Sequence, residues 1–236
     1  MLLVENVKFL YDKGKTKIEK ETEKLKTLMI FSKQADNSVP LEKQSIAKVL
    51  LHLPELNRIS LKDVSHFESN DFNFASTFVK AVGNSQITLN NITGNYIFFS
   101  LMGNSVLNAN NLSLSKTKIK QINSSKMSIT DANVDVIDIQ NKNRTQLQIT
   151  GLSGKLLGIS QKDHSQVTLS AKTDLTEVNY RLDESAELIA KDLHTDVLKL
   201  TAKGNTKVAL GTANTKYINV GKRVEVKHHK ITKVSK

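Results

Sequence analysis

The side chains that could carry catalysis or bind a metal are scattered along this sequence rather than grouped. Four of the six histidines, which serve as general bases and metal ligands, stand far apart, at His52, His66, His164 and His194, and the other two are adjacent at His228 and His229. No metalloprotease HExxH motif, Walker-type phosphate loop, GxSxG nucleophile motif or calcium-binding EF-hand loop occurs. Asp131 and Asp135 are close together, but the neighbouring repeats described below offer no matching acids. The sequence therefore predicts no catalytic residue, no metal site and no cofactor.

Tyr96 and Phe98 are the aromatic side chains with the clearest potential to bind a ligand. They alternate with Ile97 and Phe99, and six of the eight phenylalanines lie between Phe67 and Phe99. Successive side chains of a strand point to opposite faces, so if Ile97 and Phe99 point inward, Tyr96 and Phe98 point outward. Exposed aromatic rings stack on sugars, which makes this pair a candidate ligand-contact surface.

A basic segment at the C-terminus gives the second candidate contact surface. From residue 222 to residue 236 the chain carries six Lys or Arg against one Glu, a local charge of +5. Lys222, Arg223 and Lys227 stand nearest the last repeat and could contact an anionic ligand. A solvated tail without a ligand is the plainer interpretation.

Composition restricts the class of protein more than it defines a function. The 236 residues carry a net charge of +11, which favours acidic partners or serves solubility alone. There is no Arg-rich arm, and we expect no specific binding to nucleic acid. The absence of cysteine excludes disulfides and Cys-ligated zinc. The sequence contains no stretch of 18 apolar residues, so it predicts no transmembrane helix. The apolar run at residues 1–4 ends at Glu5 and is too short for the hydrophobic region of a signal peptide.

The strongest regularity is a repeat of about 20 residues that begins at Gly83. One apolar column occupies the fifth position of each repeat: Ile87, Leu107, Met127, Leu147, Val167, Leu188 and Val208. Another follows two residues later: Leu89, Ala109, Ile129, Ile149, Leu169, Ala190 and Leu210. In the first five repeats the residue between these columns is polar. This alternation predicts a strand with one buried face in every repeat.

The two columns together form the first apolar station of the repeat, and two more stations follow in most repeats. The second station contains Ile92, Leu112, Ala132, Leu152, Leu193 and Ala213. The third contains residue pairs: Ile97 with Phe99, Ile137 with Ile139, Leu157 with Ile159, Val178 with Tyr180, Leu198 with Leu200, and Ile218 with Val220. These columns stay aligned only if one residue is inserted between Leu169 and Val178.

Three apolar stations per repeat predict three short strands joined by bends. Stacked coils of this kind form an all-β solenoid, and we predict a right-handed parallel β-helix with coils about 4.8 Å apart. A β-propeller is disfavoured because its blades need about 40 residues each. A leucine-rich repeat has a suitable period, but its Asn and Leu signature is missing.

Small hydroxyl residues form a polar column at one bend, namely Ser85, Ser105, Ser125, Thr145, Ser165 and Thr206. Such side chains cap bends by hydrogen bonding to nearby backbone, so we interpret the column as a structural ladder. A row of ligand-binding residues is the alternative interpretation.

The ends of the chain do not follow the repeat. We predict a mainly β cap over residues 1–53, the parallel β-helix over 54–222 and a basic strand or tail over 223–236. The spacing of apolar residues between 41 and 53 fits a helix or a strand, and we favour a strand. Phe72 and Phe74 alternate, and we expect both rings to pack inward beneath the cap.

Three segments resemble a known family. They are LPELNRISL at 53–61, AVGNSQITL at 81–89 and MGNSVLNA at 102–109, and they resemble the auto-transporter adhesin head GIN domain of bacteria. The resemblance covers roughly residues 47–220. It implies a secreted or surface-exposed β-helical protein with no assigned activity. The family pattern is rich in glycine at the turn of each coil. This chain keeps that glycine in the early coils, at Gly83 and Gly103, and departs from the pattern in later coils.

The resemblance and the lack of catalytic groups together suggest a non-enzymatic binding or adhesion module of the bacterial cell envelope. On this interpretation the protein is extracytoplasmic, its signal peptide is not present in this chain, and its partner is a cell-surface glycan or protein. We expect a monomer. Two alternatives stay open, namely a polysaccharide-acting β-helix enzyme and a self-associating β-helix scaffold.

Overall fold

The computed structural model describes residues 2–4, 7–12, 15–20, 28–31, 57–63 and 66–228, the first four ranges by their backbone alone. All regular elements in these ranges are strands. They are β1 Leu2–Val4, β2 Val7–Asp12, β3 Lys15–Lys20, β4 Leu28–Phe31, β5 Arg58–Lys62, β6 His66–Ser69, β7 Phe72–Gly83, β8 Gln86–Gly103, β9 Val106–Ile122, β10 Lys126–Lys142, β11 Gln146–Lys162, β12 Gln166–Leu182, β13 Glu187–Ala202, β14 Lys207–Val220 and β15 Glu225–His228.

Strands β7 to β14 pair in parallel and in chain order, which confirms the predicted β-solenoid. Ile87 lies opposite Leu107, and Leu107 lies opposite Met127, so each coil stacks on the next at an offset of 20 residues. The apolar columns predicted at this offset form one continuous buried core. Phe72 and Phe74 also belong to it, with ring centroids 5.0 Å apart, as predicted.

Two columns of left-handed residues make the bends of the coils. One contains Asp63, Gly83, Gly103, Asn123, Asn143, Asp163, Glu184 and Gly204, with φ between 60° and 78°. The other contains Asn91, Asn111, Asp131, Gly151 and Ala171, with φ between 51° and 72°. Gly, Asn and Asp tolerate positive φ best, which explains why later coils replace Gly83 and Gly103 by Asn or Asp.

The column of small hydroxyl residues is structural. Its members are at most 1% exposed, so a ligand cannot reach them and the ligand-binding alternative is wrong. Ser85 donates a hydrogen bond to the carbonyl oxygen of Val82 at 2.8 Å, and Ser125 donates to that of Ile122 at 3.4 Å. These two bonds brace the bend in the way that the sequence predicts. Among the described residues, the buried hydroxyls of Ser105, Thr145, Ser165 and Thr206 have no hydrogen-bond partner, so only part of the column forms the predicted ladder.

The predicted one-residue insertion is confirmed. Thr150 lies opposite Ser170, whereas Leu152 lies opposite Thr173, which leaves one extra residue on the later coil. Ala171 lies in this interval and adopts a φ of 58°.

A second irregularity corrects the predicted alignment of the last coil. Leu188 lies opposite Val208, but Leu198 lies opposite Lys216 and not Ile218, so the last coil is two residues shorter. Ala213 accordingly lies opposite Thr195 and not Leu193. Gly211 allows the shortening, because a Cβ there would lie 2.3 Å from the carbonyl oxygen of Leu193.

The shortened coil changes which side chains face the core. Lys216 takes an inward position and is 5% exposed, while Ile218 and Val220 are 39% and 41% exposed. Ile218 and Val220 lie opposite the buried Leu200 and Ala202, so they keep inward positions. They are partly exposed because, among the described residues, β15 pairs only with residues 207–210 of β14.

The two ends of the described sheet differ. At the C-terminal end β15 pairs in parallel with β14, with Val226 opposite Val208, and residues 229–236 lie outside the described residues. At the N-terminal end β4 pairs in parallel with β5, β1 pairs antiparallel with β4, and β2 and β3 form an antiparallel hairpin. The open question of helix or strand at 41–53 falls outside the described residues.

A column of buried amides supports one bend from inside the solenoid. Gln121 donates hydrogen bonds to the carbonyl oxygens of Ser125 and Gln146 at 3.3 and 3.1 Å. Gln161 bonds its own coil in the same manner, at 3.1 and 3.0 Å. Asn141 lies between these glutamines and is 3% exposed, but its shorter amide has no hydrogen-bond partner.

We predict that Asn141→Gln raises the free energy of unfolding by about 1 kcal/mol. The longer amide would reach backbone carbonyl oxygens equivalent to those that Gln121 and Gln161 bond in the neighbouring coils. Urea denaturation measures the change. Asn95→Gln, at an exposed position, is the matched control and leaves the midpoint unchanged. A lower midpoint for Asn141→Gln would show that the extra methylene does not fit the core.

A pair of carboxyl groups meets at one left-handed bend. The Asp163 and Glu184 carboxyl groups lie close enough to interact, which raises the pKa of Glu184 and lowers the pKa of Asp163. Such a pair shares one proton, which Glu184 keeps while Asp163 is ionised. The interaction therefore contributes stability between the lowered pKa of Asp163 and the raised pKa of Glu184, and it is lost as the pH rises through the latter.

We predict that Asp163→Asn lowers the pKa of Glu184 toward its ordinary value. Asparagine already occupies the equivalent bends at 123 and 143, so the backbone tolerates the change. NMR titration of the Glu184 side-chain carbon measures the pKa, and Asp131→Asn, at the other column of bends, serves as the control. An unchanged pKa in Asp163→Asn would contradict the pairing.

Candidate functional site

Metal-ligating side chains do not converge on one centre in the described part of the chain. Among those residues, no three His, Cys, Asp or Glu side chains group closely enough to hold a metal ion. The same residues include no helix with the length and hydropathy to span a bilayer. The outward columns of the solenoid are therefore the candidate binding surfaces.

One face of the solenoid gathers aromatic and basic side chains at its N-terminal half. We call it the aromatic–basic face, and it consists of Arg58, Phe78, Lys80, Tyr96, Phe98, Lys116, Lys118 and Lys120. Alternation along β8 and β9 directs these side chains outward, because Ile97, Phe99 and Ile119 between them are fully buried. Tyr96 and Phe98 are half-buried, as expected for rings that lie against a sheet surface.

The central column of this face is a chain of ring and cation contacts. Arg58 lies 5.0 Å from the ring centroid of Phe78, and the Phe78 and Phe98 centroids are 5.1 Å apart with a 57° tilt. Lys118 Nζ lies 5.9 Å from the Phe98 centroid and 3.6 Å from Asp138. A cation over a ring face is attracted to its quadrupole, so the two cations hold the pair of rings from both ends.

Two flanking columns widen the face. Tyr96 lies opposite Lys116 on one side of the central column, and Ser100 lies opposite Lys80 and Lys120 on the other. Lys116 and Lys120 are exposed. Five cations thus surround three aromatic rings, and the arrangement can contact an anionic ligand that also presents apolar surface.

The predicted contact residues form two separate surfaces instead of one. Tyr96 and Phe98 lie on β8, whereas Lys222, Arg223 and Lys227 follow β14. Six strand steps separate β8 from β14, which is about 29 Å at the usual spacing. Lys222 and Arg223 are exposed in a turn, and Lys227 forms an ion pair with Glu225 at 3.0 Å.

Sequence reasoning missed the residues that flank Tyr96 and Phe98. Phe78 and Lys118 stand 20 residues on either side of Phe98, and Arg58 stands 20 residues before Phe78. The repeat spacing would have revealed this column if it had been extended upstream of Gly83.

A polar groove lies on the coils of β12 to β14. It has a volume of about 470 Å³ and is lined by Asp174, His194, Asp196, Thr212 and Asn214, among others. Thr212 Oγ1 lies 2.8 Å from His194 Nδ1, and Asn214 Nδ2 donates to Asp196 Oδ1 at 2.9 Å. Asp174 lies opposite His194 in the strand register, a contact that the single-sequence search for paired histidines did not reveal.

No family model matches the chain, and neither a curated protein nor a solved structure matches it.

The outward and inward rings of β8 provide a test of the face. We predict that Phe98→Thr lowers the free energy of unfolding by about 1 kcal/mol, because the ring is only half-buried. Phe99→Thr is the matched control at the adjacent inward position, which is fully buried, and should cost at least 3 kcal/mol, roughly the loss for a core ring. Equal losses in urea denaturation would contradict the assigned orientation.

Proposed function

We propose that this chain is a non-enzymatic binding module that holds an extended ligand on its aromatic–basic face. One observation carries the proposal: a stacked pair of outward rings, Phe78 and Phe98, flanked at both ends by the cations of Arg58 and Lys118. Outward phenylalanine contributes nothing to the solenoid core, whereas exposed rings supply large contact area to a ligand.

The geometry of the solenoid suits an extended ligand. The central column from Arg58 to Asp138 crosses four strand steps, about 19 Å. From Phe78 to Asp138, every backbone position along it is paired in parallel with both neighbouring coils. A preorganised surface loses little entropy on binding, so modest contacts repeated along a ligand can sum to a useful affinity.

The proposed setting is the outside of a bacterial cell, as an adhesion or ligand-binding part of the envelope. The similarity of LPELNRISL, AVGNSQITL and MGNSVLNA to the adhesin head GIN domain supports it. The net charge of +11 supports it as well, because envelope glycans and lipids are commonly acidic.

A specific observation favours each of the two alternatives. The groove that contains Asp174, His194 and Asp196 places two carboxylates and an imidazole together, as an enzyme acting on a polysaccharide would need. The β14 edge carries exposed Tyr217 and Val220, at 59% and 41%, which a self-associating scaffold could bury. The first alternative predicts product release and the second predicts oligomers.

Retention on immobilised polysaccharides tests the proposal. We predict that the full chain binds at least one member of a panel of neutral and acidic polysaccharides, and that Phe98→Thr weakens this binding about tenfold, the loss of one ring contact of 1–2 kcal/mol. Ile189→Thr is the matched control, since Ile189 is half-buried and outward on a different column.

The same samples separate the proposal from its alternatives. Polysaccharide recovered after incubation should keep its length, and light scattering should report a monomer. Binding that Phe98→Thr and Ile189→Thr reduce equally, or no binding to any member, would refute the proposed face. Shortened polysaccharide that depends on Asp196 would favour the enzyme instead.

A further inference from the structure

We infer that the ligand of the aromatic–basic face is a linear acidic polysaccharide, a chain of sugar rings that carry carboxylates. This inference rests on the proposed function and adds the chemical class of the ligand. It depends on how the cations are placed relative to the rings, and not on their number alone.

The cations form two rims around the rings. On β9, Lys116, Lys118 and Lys120 point outward from alternate positions, about 6.7 Å apart along the strand. On the opposite side, Arg58 lies on β5 and Lys80 on β7. Three strand steps, about 14 Å, separate β5 from β9, and the rings of β7 and β8 fill the interval.

A polysaccharide matches this alternation of apolar and cationic surface. The C–H face of a sugar ring can lie against Phe78, Phe98 or Tyr96, while carboxylates on the same chain reach the lysines of the β9 rim. Lys118 is partly occupied by Asp138 at 3.6 Å, so the exposed Lys116 and Lys120 carry most of the carboxylate contact. A neutral polysaccharide would contact the rings alone and would offer the lysine and arginine side chains no charged partner.

A single-stranded nucleic acid fits the face less well. Bases stack on open aromatic faces that lie parallel to them. The rings of Phe78 and Phe98 are half-buried and are tilted by 57° to each other. No flat pair of ring faces is therefore presented for two successive bases.

The residues next to the rims also suit carboxylates and sugar hydroxyls. Ser60 lies beside Lys80 in one outward column, and the exposed Ser76 lies beside Tyr96 in the other. Serine hydroxyls donate and accept hydrogen bonds, so they can contact sugar hydroxyls while the lysines hold the charge.

The test compares polygalacturonate with its fully methyl-esterified form, which has the same backbone without the charges. The full chain should bind polygalacturonate at least about tenfold more tightly, in proportion to several surface charge contacts of 0.2–1 kcal/mol each. Raising the salt concentration should weaken binding to the acidic form and leave binding to the esterified form unchanged.

Two triple variants with the same loss of charge locate the effect. Lys116→Gln with Lys118→Gln and Lys120→Gln should weaken binding to polygalacturonate about tenfold. Lys126→Gln with Lys191→Gln and Lys203→Gln removes three exposed cations elsewhere and should change it by less than about twofold. Thermal unfolding of each variant checks that the solenoid is intact.

The outcomes distinguish the ligand class from the proposed function. Equal binding of the acidic and esterified forms, both weakened by Phe98→Thr, would overturn the acidic ligand and leave the binding face standing. Tighter binding of oligothymidylate than of polygalacturonate through the β9 lysines would overturn the polysaccharide in favour of nucleic acid. Binding that neither Phe98→Thr nor the β9 variant alters would overturn both.

Discussion

Parallel hydrogen bonding between successive coils is the interaction on which the rest of this structure depends. It places each residue about one strand spacing from its equivalent 20 residues away, so every column must be compatible with its own repetition. At bends this means positive φ in coil after coil, which Gly, Asn and Asp supply. The asparagines also bond along the column, as Asn143 does to Asn123 at 2.8 Å. The asparagine side chain at one bend is thereby stabilised by the asparagine at the next bend.

The same constraint explains which buried polar groups the core tolerates. Gln121 and Gln161 face inward but reach backbone carbonyl oxygens, so their desolvation is offset. Tyr180 is 3% exposed with no partner for its hydroxyl, and burial raises the pKa of that phenol. Lys216 is buried without a partner for Nζ at the shortened last coil. Lys216 lies where the 20-residue register fails, whereas Asn141, which also has no hydrogen-bond partner, lies in a regular coil.

Parallel stacking also places the outward side chains of successive coils side by side, so that they form a surface. Phe78 and Phe98 meet only because parallel register puts positions 20 residues apart side by side, and the same register adds Arg58 and Lys118. Outward positions do not affect the core, so they are open to selection for binding. The polar groove over β12 to β14 lies where the insertion and the shortening alter the coil. Both candidate sites are thus consequences of the coil register.

The sequence by itself determined the period, most of the inward columns, the insertion between Leu169 and Val178 and the outward direction of Tyr96 and Phe98, because strand alternation and coil stacking act at fixed spacings along the chain. It did not determine the alignment of Lys216 with Leu198, since a polar inward residue hides a two-residue shortening from any apolar pattern. Nor did it show that His194 lies opposite Asp174. Those relations depend on the local register between coils, and only the paired strands of the folded solenoid fix that register.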